Sequence, residues 1–104
     1  MSKLDTVIAS RVLTSVIDGQ RQDVQINLGQ PYQSEDAVTC AYEVVVGDAS
    51  TVHEIVGIDG IQALELAIYM VGSLLRSMTD ASDWQWKETG FPCTIAEPFH
   101  QGSQ

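Results

Sequence analysis

Between Asp59 and Met78 apolar side chains return every three or four residues: Ile61, Leu64, Ile68, Val71, Leu75 and Met78. That period predicts an α-helix over about 60–79. Asp59 is a good N-cap, and Gln62 three residues on completes a D-x-x-Q capping-box pattern. Ala63, Leu66, Ala67, Met70 and Leu74 widen the apolar sector. They leave a narrow polar strip of Gln62, Glu65, Tyr69 and Arg76, with Gly72 among them. A strip this narrow implies a helix covered round most of its girth. One face of a sheet covers about half of it, so the C-terminal segment or a second subunit has to cover more.

The strands for such a sheet lie upstream. Residues 23–28, DVQINL, alternate strictly, with Val24, Ile26 and Leu28 on one side. That is the pattern of a half-buried strand. Residues 37–46, AVTCAYEVVV, put Val38, Cys40, Tyr42, Val44 and Val46 on one face, and 51–58, TVHEIVGI, follow after the turn Gly47-Asp48-Ala49-Ser50. Residues 7–17, VIASRVLTSVI, are ambiguous: Ile8, Val12 and Val16 are spaced by four, as in a helix, yet also share one strand face. Their richness in Val, Ile, Thr and Ser favours a strand. Asp18-Gly19 and the short DGQRQ link make a hairpin, whereas GQPYQSED, 29–36, reads as an exposed loop. The expected fold is therefore α+β: a four-stranded antiparallel meander packed on one long C-terminal helix. A tryptophan-containing C-terminal segment follows, irregular over 80–104, with Phe91–Ile95 able to add a short strand or lie over the helix. The 104 residues form one domain, 1–104, and 44% apolar residues suffice for a core without metal or disulfide.

Charge narrows the partners. Fourteen carboxylates against five basic residues give a net charge of −9 and a pI near 4.2. Such a surface repels nucleic acid and anionic membranes and attracts basic proteins; acidity also serves plain solubility. Lys3, Arg11, Arg21, Arg76 and Lys87 are scattered, so no basic patch for phosphate contacts is expected. No uninterrupted apolar run reaches the length of a spanning helix, and the start MSKLDTVIAS is unlike a secretory signal. Cytoplasmic residence and two reduced thiols, Cys40 and Cys93, are the expectation.

No catalytic, cofactor-binding or metal constellation emerges. P-loop, GxGxxG and GxSxG patterns are absent. His53 reads as a surface or edge histidine opposite Val52 and Val56, and His100 lies in the tail. Asp80 and Asp83 find no third ligand. The remaining feature is Trp84-Gln85-Trp86. These two rings either close the end of the core or present an anchor for a protein partner, with Asp80, Asp83 and Glu88 as an acidic rim. Asp59 and Gln62 are read as a helix cap.

The run Gly57-Ile58-Asp59-Gly60-Ile61-Gln62-Ala63-Leu64-Glu65-Leu66-Ala67 resembles the G-x-D-x-x-Q-A-L-x-L-A signature of a family of short bacterial proteins of unknown function. In that family a tryptophan-containing stretch and a Gly-Phe-Pro follow the helix, matched here by Trp84 or Trp86 and by Gly90-Phe91-Pro92. The resemblance implies strands before the helix and carries no activity. Size and charge are also those of immunity proteins that neutralise bacterial toxins, an analogy only. The expected function is a non-catalytic acidic protein that binds a basic partner, such as a toxin domain. The alternative is a self-associating accessory domain, a homodimer in its simplest form.

Overall fold

The computed structural model describes Leu4, residues 6–79 and residues 83–88. The strands are β1 Val7–Ile17, β2 Gln20–Gly29, β3 Tyr32–Ser34, β4 Ala37–Val46 and β5 Ala49–Gly57, followed by helix α1 Gly60–Met78 and strand β6 Gln85–Trp86. The architecture is α+β, with one antiparallel sheet and one helix. Two expectations need correction. The presumed loop 29–36 contains β3, which continues alongside β4 after β2 leaves it, so β2 and β3 act as one interrupted strand. The helix is also not the last element, because β6 returns from it and pairs with β1 at Leu13 and Thr14. Across the sheet the order runs β5, β4, β2 with β3, β1, β6.

Turn chemistry sets the register. Asp18 (φ 53°) and Gly19 (φ 81°) both take left-handed conformations, as a two-residue type I′ hairpin requires. Ile17 therefore faces Gln20, and the pairing runs on to place Leu13 opposite Val24 and Arg11 opposite Ile26. In the second hairpin Gly47 (φ 60°) holds the first turn position between the paired Val46 and Ala49. The consequence for β1 is that Leu13 and Ile17 face the helix. Ile8, Val12 and Val16, the more conspicuous apolar set in the sequence, lie on the opposite face, and Ile8 and Val16 are exposed.

The core joins Leu13, Val24, Ile26, Cys40, Tyr42 and Val44 of the sheet to Ala63, Ala67, Val71 and Leu75 of the helix, with Trp84 closing its end. The helix meets the sheet over β4 and β5 through a stripe spaced by four, and its small residues permit close approach. At Gly57 the approach of strand and helix is close: a Cβ there would lie 2.7 Å from the backbone nitrogen of Ala63. The broader apolar sector read from the sequence is thus only partly used. Ile61 and Ile68 are exposed, while Leu64, Leu74 and Met78 pack partly against the core. Asp59 caps the helix by accepting the Gln62 N–H at 2.8 Å. The Gln62 side chain reaches back to the N–H of Ile58 at 2.7 Å, one residue beyond the position a standard capping box uses.

Candidate partner-binding surface

The helix covers one face of the sheet, and among the described residues no element covers the other. Across its middle runs a polar ladder. Ser10 Oγ donates to Asn27 Oδ1 at 2.7 Å, Asn27 Nδ2 donates to Glu43 Oε1 at 3.0 Å, and Ser50 Oγ donates to Glu43 Oε2. Gln25 adds a further bond to Asn27 Oδ1 at 3.1 Å. The hydroxyl of Ser50 and the amide of Asn27 hold the Glu43 carboxyl below the usual glutamate range. Glu54 accepts from Tyr32 Oη at 3.0 Å. Asp23 pairs with Lys87 at 3.0 Å, and that lysine bond, with one from Thr14, lowers its carboxyl. The outer-face carboxylates are therefore engaged within the chain.

The structure separates the two tryptophans. Trp84 is fully buried, and its indole N–H donates to the Leu75 carbonyl at 3.1 Å. It belongs to the core and offers a partner no surface. Trp86 is 37% exposed, with the Arg11 guanidinium 4.5 Å from its ring centroid. Asp83 is exposed but tied down: its carbonyl accepts from Ser15 Oγ at 3.0 Å and its carboxylate from Thr79 Oγ1 at 3.3 Å. Glu88 is exposed. Asp80, Phe91–Ile95 with Cys93, and His100 lie outside the described residues. The proposed acidic rim around Trp86 thus shares its side of the molecule with Arg11, Arg21 and Lys87, residues the sequence spreads along the chain and the sheet gathers.

Among the described residues the opposite side has no such compensation. From Val24 to Leu75 the chain contains no lysine or arginine, against Glu35, Asp36, Glu43, Asp48, Glu54, Asp59 and Glu65. This stretch builds β3, β4, β5 and most of α1. β5 lies three strand spacings from β1, roughly 14 Å. That exceeds the ~8 Å over which exposed charges act at physiological salt. The cations near β1 therefore do little to offset the field at β5. The sequence points to acidity on the outer face of the sheet and beside the tryptophans, but strand order, which decides where it gathers, is not legible in it. The signal that finds it is the long gap between Arg21 and Arg76.

His53 faces the helix side and stacks on Tyr42, ring centroids 5.1 Å apart at 19°. Among the described residues no three His, Cys, Asp or Glu side chains converge as for a metal ion. No helix among them is long and apolar enough to cross a membrane. An apolar groove of about 270 Å³ separates β1 and β2 from the helix, lined by Ile26, Leu28, Ile68, Val71 and Leu75, with Arg11 also in its lining.

One antiparallel sheet backed on one face by one capped helix, with a bare polar face and segregated charge, defines a small α+β domain. A family model described as Domain of unknown function (DUF6968) matches residues 9–95. The chain belongs to this family. No curated protein and no solved structure matches it.

Proposed function

We propose that this chain is a small acidic binding protein, without catalytic activity of its own, that neutralises a basic protein partner in the cytoplasm. An immunity-type inhibitor of a toxin domain is its concrete form. The observation carrying this reading is the side built by β4, β5 and the first turns of α1, which holds no cation among the described residues. An enzyme that acts on nucleic acid needs a cationic site to hold phosphates, and a matching acidic surface can occupy it. The Gly57–Ala67 run, the signature that resembles a family of short bacterial proteins, serves on this reading as scaffold: Gly57 admits the helix and Asp59 caps it.

The test is co-purification with the product of a neighbouring gene, followed by titration at rising salt. Binding is expected to weaken steeply with salt. Charge reversal at Asp48, Glu54 and Glu65 is expected to weaken it further, whereas reversal at Arg11 and Lys87 leaves it intact. Indifference to salt and to the acidic reversals would sink the reading. A second reading, self-association, is favoured by Ile61, Ile68 and Met70, which α1 leaves 71%, 45% and 39% exposed. Light scattering that finds a strict monomer at high concentration removes it.

A further inference from the structure

β5 is an edge strand of nine residues, and among the described residues its outer edge has no strand partner. The two-residue hairpin fixes which backbone groups are free. Val46 and Ala49 flank the turn, so Ala49, Thr51, His53, Ile55 and Gly57 face β4 with their N–H and C=O groups. Ser50, Val52, Glu54 and Val56 direct theirs away from the sheet. The same rule applied to β1 sends the groups of Val12 outward, where the Lys87 N–H meets its carbonyl at 3.2 Å. The side chains of Ser50, Val52, Glu54 and Val56 also share one face, the bare one. Val52 and Val56 are 44% and 56% exposed on either side of Glu54.

Natural edge strands are commonly protected by lysines, proline or a bulge. β5 contains no lysine or proline, and its register with β4 runs without a shift. Its only formal charge is Glu54, with Asp48 just before it and Asp59 just after. We infer that this edge accepts an extended basic segment of the partner as an added strand. The added backbone would pair with Ser50, Val52, Glu54 and Val56. Its apolar residues would meet Val52 and Val56, and a lysine or arginine would meet Glu54. The inference rests on the proposed binding of a basic partner and names how that partner docks. A second copy fits poorly here, because two acidic edges would be brought together.

The experiment uses the whole chain and two synthetic heptapeptides, Lys-Val-Thr-Lys-Thr-Val-Lys, which places Val, Lys and Val on one strand face, and Lys-Pro-Pro-Lys-Pro-Pro-Lys, followed by amide NMR and hydrogen exchange. Both carry the same charge, but only the first can form a strand. The Lys-Val peptide is expected to shift β5 amides and to protect those of Val52, Glu54 and Val56 from exchange. The proline peptide is expected to bind at least about tenfold more weakly, since in neither register does it offer two successive backbone donors to the edge. Val52→Pro removes an N–H that β4 does not use, so it should leave the rest of the spectrum in place and abolish the protection. Glu54→Lys keeps every backbone group and should weaken binding by its charge alone. Equal binding of both peptides, or shifts centred on β1, β6 or the helix, would overturn the edge inference while leaving an acidic binding protein intact. Absence of binding by either peptide at low salt would count against both. Self-association through β5, seen as protection of the same amides in the chain alone at high concentration, would replace the partner with a second copy and overturn the inference.

Discussion

The indole N–H of Trp84 donates to the carbonyl of Leu75, nine residues earlier in the chain, at 3.1 Å. That carbonyl lies in the last turn of α1, where main-chain acceptors lack helical partners, and it also takes the Thr79 N–H at 3.3 Å. One side chain thus ends the helix, joins the core cluster and starts the return to β6. Trp84→Phe is expected to cost about 1–3 kcal/mol, from the lost bond and an imperfect fit. Trp84→Ala is expected to cost about 3–5 kcal/mol. Trp86→Ala removes a half-exposed ring and a surface cation–π contact, so a loss of about 0.5–1 kcal/mol is expected. Urea unfolding of the three variants checks the order. Equal costs at positions 84 and 86 would contradict the assignment of one ring to the core and one to the surface.

Gly57→Ala tests the crossing of β5 and α1. The added Cβ would sit 2.7 Å from Ala63 N and 3.0 Å from Ala63 Cα, and both are backbone atoms that a rotamer change cannot move. The helix would have to shift outward along its Ala63–Ala67 stripe. The expected loss is about 1–3 kcal/mol, the usual cost of overpacking. Gly60→Ala is the matched control, because its nearest neighbour is the Pro31 Cβ at 3.9 Å, an ordinary contact. Thermal unfolding of the pair should therefore separate them clearly, with only Gly57→Ala showing a large drop in Tm.

These two sites show where the sequence was legible. The helix start at Asp59, the inward sets of β2 and β4, and the Asp18-Gly19 turn follow from local rules of period, capping and left-handed glycine, so they could be read in advance. The second turn is placed by the same rules but reads two residues too long, since Ala49 and Ser50 already pair with β4. Which tryptophan is buried could not. Trp84 and Trp86 have the same local pattern, and the choice is made by the distant Leu75 carbonyl. Arg11 was likewise invisible as a partner of Trp86, because β6 pairs with β1 across some seventy residues of chain. β3 was missed because Pro31 and the polar run after it hide a strand of only three residues. The helix misled in a different way: its large residues Ile61 and Ile68 look like core. The sheet instead selects the small ones, which let the helix axis approach.

Glu43 makes the pH dependence specific. Its folded pKa is depressed, chiefly by Ser50 and then by Asn27, so it favours the folded state when ionised. That contribution is fully present above the unfolded value, and it is lost as pH falls through the lower folded value. Stability should therefore decline on the acid side of the usual glutamate range, and Glu43→Gln should flatten that decline. At pH low enough to protonate Glu43 in both states the variant should approach the parent. Asp23 has the same sign, but its principal partner is the exposed Lys87, so its share should fade with added salt. Denaturant midpoints across the acid range, at low and high salt, separate the two: the Glu43 share should persist in salt.

Cys40 supplies the last test, of the core itself. Its side chain is fully buried in β4, its S–H points to the Gly29 carbonyl at 3.6 Å, and burial raises its pKa. A thiol that is both inaccessible and held protonated is a poor nucleophile. In a Cys93→Ser variant, so that only Cys40 remains, an aromatic disulfide reagent should react no faster than the chain opens. The rate should rise in urea in step with the unfolding transition. Cys40 lies in the core between β4 and the helix, so its thiol reacts only when the elements around it part. A thiol reaction that precedes the change in tryptophan fluorescence would therefore show that the core opens locally around β4 before the chain unfolds at Trp84.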